Sequence, residues 1–140
     1  MSKRKNDYPI FTGVECVVDG KPVHCTLCFF SSRGCYGYTG SNYFIGFPYG
    51  ASVKLHLVRK GANSTHSGYQ VELPEMLVPF FREHIPHITM TVVPDAKPVD
   101  TWKLFATANC SEPCDITVVG TVGYWTSKKG FQTKPIDSFW

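Results

Sequence analysis

The chain has no uninterrupted apolar run that approaches the length needed to cross a bilayer. Its basic start, Lys3-Arg4-Lys5, is followed by no apolar segment of the kind that directs secretion. It has no fixed-period repeat, and little of it carries the spacing of an amphipathic helix. These absences argue against a helical membrane protein and a solenoid, and make an intracellular protein the default expectation. The remaining expectation is a monomeric cytoplasmic protein in a reducing compartment, with residues 1–7 a basic disordered tail and 8–140 a single domain.

Compartment decides how the six cysteines are read. In a reducing environment they are free thiols acting mostly as small buried apolar groups. Cys25, Cys28, Cys110 and Cys114 could by count hold zinc. Cys25 and Cys28, however, fall on a predicted strand, where an offset of three puts side chains on opposite faces. No metal and no cofactor are therefore expected. The sequons at Asn63 and Asn109 have no meaning outside the secretory path.

Hydrophobic content of 43% is ordinary for a soluble domain, and the aromatic share of 14% is generous. Aromatics left exposed could stack on bases. A net charge of +3 suits an anionic ligand without demanding one. Alternation and turn signals predict about seven strands. Pro9–Val18 and Lys21–Phe30 are joined by an Asp19-Gly20 hairpin turn. Ser52–Arg59, Tyr69–Leu73, Pro86–Val93, Asp115–Trp125 and Phe131–Thr133 complete the set. Pro74–Glu83 is a short helix or turn, and Val99–Ala108 is the best helix candidate. Ser31–Tyr43 is a Ser/Gly/Tyr-rich loop that could act as a lid or rim, and Ile136–Trp140 is expected to dock. The fold class is α+β: β-rich, antiparallel, with one or two helices.

Two strands share a feature. In Pro86-His87-Ile88-Thr89-Met90-Thr91-Val92, His87, Thr89 and Thr91 face one side while Ile88, Met90 and Val92 face the core. In Val23-His24-Cys25-Thr26-Leu27, His24 and Thr26 repeat the arrangement. One His-x-Thr on a strand is an ordinary surface pair, whereas two in matching contexts form a pattern. Each sets an imidazole and a hydroxyl side by side, roughly 6.5 Å apart. With pKa values near neutrality, one histidine can take a proton from a nucleophile while the other gives one to a leaving oxygen. The hydroxyls can bind phosphate oxygens where charge develops. In-line displacement at phosphorus suits this set without a metal.

The doubled motif resembles the signature of the two-histidine (2H) phosphoesterase superfamily. Within it the chain resembles the 2′,3′-cyclic-nucleotide 3′-phosphodiesterase family. His24-Cys25-Thr26 with Phe29 is similar to that family's first motif, and His87-Ile88-Thr89-Met90 to the second. Asp95–Thr101, Gln70–Leu73 and Gly123-Tyr124-Trp125 are similar to further segments, so the likeness covers about residues 8 to 130. The interval between motifs is shorter here, and Ser31–Tyr43 stands where a helical segment is usual.

The resemblance implies a two-lobed fold with antiparallel sheets around a central groove. It also implies His24, Thr26, His87 and Thr89 as catalytic residues, and Phe29, Pro98 and Val99 as the nucleotide pocket. A nucleotide or RNA is the implied partner. Shortened domains of this kind also resemble virus-type enzymes that cut 2′,5′-oligoadenylates or cyclic dinucleotides. Two other classes compete: a non-catalytic RNA- or nucleotide-binding module, and a zinc-stabilised structural domain. His56, His66 and His84 lack the threonine and are read as surface or structural. Tyr36, Tyr38 and Tyr43 either stack on a base or cover the sheet, and Lys128 and Lys129 form a solvated turn.

Overall fold

The structure, a computed structural model, describes residues 9–30 and 43–135. The basic tail, the Ser31–Tyr43 loop up to residue 42, and the segment Ile136–Trp140 lie outside the described residues.

Seven strands form: β1 (Pro9–Val18), β2 (Lys21–Phe29), β3 (Ser52–Ala62), β4 (His66–Glu72), β5 (His87–Val92), β6 (Ser111–Thr126) and β7 (Gly130–Gln132). All pair antiparallel, in the order β1-β2-β5-β4-β3-β6-β7. A further β1–β6 pairing closes the first six into a barrel, with β7 attached outside the ring along the end of β6. Closure depends on β6 being long. Its 16 residues pair first with β3, from Ser111 to Thr121, and then with β1, from Thr121 to Thr126. The ring closes most thinly between β2 and β5, where a single residue pair is in register.

The local reasons are those expected of such a chain. Asp19 and Gly20 both have positive φ, 53° and 76°, the backbone of a tight hairpin turn whose twist matches its strands. Along β3, Val53, Leu55 and Leu57 turn inward and are buried, while Lys54 and His56 turn out. Val14, Leu27, Leu55, Leu57, Val71, Ile88 and Val122 fill the interior. Tyr43, Phe44 and Phe47 join the core cluster. The Tyr43 hydroxyl bonds to Thr12 Oγ1 at 2.8 Å and to the Phe80 carbonyl at 2.6 Å.

Both predicted helical segments are 3-10 helices, Glu75–Phe80 and Pro98–Phe105, with a third at Ala108–Cys110. Proline explains the first, because Pro79 lies inside it and cannot donate to the preceding turn. The second spans only 8 residues, too short to favour an α-helical nucleus without packing support. The β-rich antiparallel character matches expectation, and the sheet is one continuous closed barrel.

One local expectation is corrected. Cys25 and Cys28 both point inward, 0% and 8% exposed. The register slips between Thr12 and Gly13, which pair with Cys28 and Thr26, so Leu27 is an extra residue in β2. The bulge cancels the face change that an offset of three would produce. It also brings Phe29 to the same outer side as His24 and Thr26. Burial pushes the Cys25 thiol up to about 12 and the Cys16 thiol up to about 11, so both behave as inert apolar groups.

Candidate active site

The two His-x-Thr strands are neighbours. β2 pairs with β5 through Cys25 and Ile88, the inward residues between each histidine and its threonine. With these central residues facing the core, His24, Thr26, His87 and Thr89 all open onto one pocket of about 740 Å³ outside the barrel wall. That volume lies in the range of small-molecule sites. Phe29, Pro98 and Val99 line the same pocket, so all seven residues singled out in the sequence meet there. Phe29 and Val99 remain 53% and 47% exposed.

The two imidazoles are held differently. His87 Nδ1 lies 2.7 Å from the Ile85 carbonyl oxygen, which can only accept, so Nδ1 carries the hydrogen. In the neutral ring Nε2 is then left with its lone pair, the form a general base needs. His24 has no hydrogen-bond partner among the described residues. Its ring instead lies 4.9 Å from Phe11 and 5.0 Å from Trp125, between two aromatic surfaces. Although His24 opens onto the pocket, this crowding strips water from it and lowers its pKa from 6.5, with the nearby His87 lowering it further. Burial also lowers the pKa of His87, opposed by the Ile85 hydrogen bond. Both shifts favour the neutral form of each ring, rather than one being charged. An anionic phosphate between them would favour the protonated form of one.

The Thr89 hydroxyl belongs to a small network. Its oxygen is 2.8 Å from Thr101 Oγ1 and 2.9 Å from the Pro98 carbonyl, and Thr101 Oγ1 donates to the same carbonyl at 2.8 Å. Two hydroxyl protons serve these contacts. With Thr101 satisfying the carbonyl, the Thr89 hydroxyl donates to Thr101 Oγ1, and its proton can turn to a ligand without leaving that carbonyl unpaired. Thr101 is completely buried in the Pro98–Phe105 helix, which packs beside β4 and β5.

Glu83 and Arg82 tie the segment before β5 across the end of β2. The Phe29 amide donates to Glu83 Oε2 at 2.9 Å, and the Arg82 amide donates to the Leu27 carbonyl at 2.8 Å. Two cationic side chains, Lys21 and Lys97, complete the wall, and the Lys21 ammonium bonds to the Met90 carbonyl. Phe11, Glu83, Lys21, Lys97 and Thr101 had no role assigned from the sequence. Thr101 lay in a segment already singled out, but nothing in its spacing marked a contact with Thr89. Phe11 could have been found only by knowing that β1 pairs beside β2.

The other histidines are elsewhere. His56 lies on the outer sheet face between Glu72, 3.2 Å away, and Asp115, 2.6 Å away, and these hydrogen bonds raise its pKa. His66 is buried between Thr65 Oγ1 and the Lys97 carbonyl. His84 stacks on Trp102 at 4.3 Å. Among the described residues no three His, Cys, Asp or Glu side chains cluster as a metal site would require, and no helix is long and apolar enough to cross a membrane. No protein-family model matches the chain, and a search of curated proteins finds no match.

Proposed function

We propose that the protein is a metal-independent phosphodiesterase. It hydrolyses 2′,3′-cyclic phosphates, on nucleotides or RNA ends, to 2′-phosphates. The observation that carries this is the convergence of both His-x-Thr pairs on one pocket, with His87 Nε2 left as an acceptor and His24 held between Phe11 and Trp125 without a hydrogen-bond partner among the described residues. On this reading the seam between β2 and β5, joined by a single registered pair, would take the part that the central groove plays in a two-lobed 2H fold. The reading carries with it a cytoplasmic monomer.

His87 Nε2 takes a proton from water as its oxygen attacks phosphorus in line. The bond from phosphorus to the ribose O3′ breaks, and His24, protonated while the phosphate anion is bound, gives its proton to O3′. The hydroxyls of Thr26 and Thr89 donate to the non-bridging oxygens, where negative charge builds. Each proton transfer contributes roughly 10²–10⁴-fold.

The test is a substrate panel run with and without chelator: 2′,3′-cyclic AMP, a 2′,5′-oligoadenylate and cyclic dinucleotides, with products assigned by mass and phosphate position. Chelator-resistant conversion of 2′,3′-cyclic AMP to the 2′-phosphate is expected. Cleavage confined to the 2′,5′ linkage would replace this substrate assignment. Activity lost to chelator and restored by zinc would reject the metal-independent mechanism.

A further inference from the structure

Four aromatic residues from four adjacent strands are registered with one another across the outside of the barrel. Phe29 on β2 is the cross-strand partner of Phe11 on β1, Phe11 of Trp125 on β6, and Trp125 of Phe131 on β7. Successive ring centroids are 6.5, 4.5 and 4.5 Å apart. The residues beside them on the strands, Thr12 and Tyr124, turn inward and are buried. The four rings therefore do not serve the core: Phe11, Trp125 and Phe131 are half-buried and Phe29 is exposed. Phe29 and Phe11 line the candidate active site, while Trp125 and Phe131 carry the strip beyond it. From β2 to β7 it crosses three inter-strand steps, about 14 Å.

The far end of the strip is cationic. Lys128 and Lys129 are exposed in the turn that joins β6 to β7, separated from Phe131 by Gly130 alone. The Lys129 amide donates to Thr126 Oγ1 at 2.9 Å, and the Gln132 side chain donates to the Lys129 carbonyl at 3.0 Å, so the turn is fixed from both sides. Neither lysine is engaged in an ion pair among the described residues. A row of rings that starts inside a phosphate-directed pocket and ends at two unpaired ammonium groups matches a strand of nucleotides in both of its chemical parts. Rings meet bases, and ammonium groups meet phosphates.

We infer that this strip is an extended binding surface for single-stranded RNA. It holds the nucleotides on the 5′ side of the reacting phosphate, so the preferred substrate is an RNA 3′ end bearing a 2′,3′-cyclic phosphate rather than a free cyclic mononucleotide. RNA rather than DNA follows from the chemistry, because the cyclic ester needs the 2′ oxygen. The inference rests on the phosphodiesterase reading for its substrate, and on the strip alone for its binding.

Two measurements on the full chain separate these. The first compares kcat/KM for 2′,3′-cyclic AMP with that for a short oligoribonucleotide ending in the same cyclic phosphate. The oligonucleotide is expected to be favoured by about tenfold or more, the effect of a single stacked base. Phe131→Ala should lower that ratio by about tenfold, Phe131→Tyr should retain it, and Lys128→Ala with Lys129→Ala should lower it as well. The second measures binding of a labelled oligoribonucleotide ending in a 2′-phosphate, by anisotropy against salt. The logarithmic salt slope should fall by about 0.7 for each lysine removed.

Turnover of the mononucleotide with no preference for RNA would overturn the strip and leave the hydrolase reading intact. Binding that depends on Phe131 and the lysines, with no substrate turned over, would uphold the strip and reject the hydrolase. No oligonucleotide binding at all would reject the strip and point to a protein partner for it.

Discussion

Thr101→Val removes one hydroxyl at a fully buried position while leaving the side-chain shape nearly unchanged. In the wild type, Thr101 Oγ1 supplies a proton to the Pro98 carbonyl and an acceptor to Thr89, each at 2.8 Å. With valine there, the carbonyl still has one donor in reach, the Thr89 hydroxyl at 2.9 Å. That contact offsets part of the damage, so the loss of stability should be about 1–2 kcal/mol, near the net worth of one to two hydrogen bonds. The larger consequence is chemical. The Thr89 proton becomes committed to the carbonyl, and turning it toward a phosphate oxygen would leave that carbonyl unpaired. Such a penalty is about 1–3 kcal/mol, or roughly 5- to 150-fold in kcat.

The assay is steady-state hydrolysis of 2′,3′-cyclic AMP, with urea melts to establish folding. KM should change little, because the hydroxyl acts where charge develops. Thr101→Ser should recover most of the rate. In a Thr89→Val background, Thr101→Val should cost almost nothing more, since its effect passes through Thr89. A folded Thr101→Val enzyme with wild-type kcat would refute the reasoning, as would an equal loss in the Thr89→Val background.

His24→Ala and His87→Ala should each abolish most turnover, and the double variant should fall little further, because the pair acts as one unit. Wild-type rates in a folded double variant, checked by circular dichroism, would remove the mechanism. The pH profile of kcat/KM should be bell-shaped with its optimum on the acid side of 6.5, since both imidazoles are lowered from that value. The acid loses its proton as pH rises, and the base gains one as pH falls; an optimum above neutrality would contradict this. The same shifts mean that the unfolded chain binds these protons first, so thermal stability should decline as pH falls below 6.5 toward the lowered values. Gly68→Ala should destabilise by about 1–3 kcal/mol, because a methyl there meets the Ile88 carbonyl oxygen and, at 2.9 Å, Thr101 Cγ2. Melting at the wild-type temperature would mean that β4 and β5 can separate at no cost.

Short-range physics was legible in the chain. The alternation of His87-Ile88-Thr89 was enough to send Ile88 to the core and its neighbours outward, since side chains on a strand change face at every residue. Asp19-Gly20 announced its own turn, because few residues tolerate positive φ. Glu75–Phe80 and Pro98–Phe105 were placed correctly as segments, but prolines and short length turned them into 3-10 helices.

What depends on partners distant in the chain was decided by the tertiary structure. Whether β1 reaches β6 and closes a barrel is set by two separate pairings along one long strand, which no local pattern encodes. The bulge that buries both Cys25 and Cys28 exists only in the register of β2 against β1. That the two His-x-Thr pairs face one pocket follows from the pairing of Cys25 with Ile88. The tautomer of His87, the commitment of the Thr89 proton and the aromatic strip from Phe29 to Phe131 are likewise contacts between elements. The sequence determined which groups could do chemistry and which way each one faces on its strand. The closure of the sheet decided which of them meet, because register between strands is set by the packing of the whole barrel.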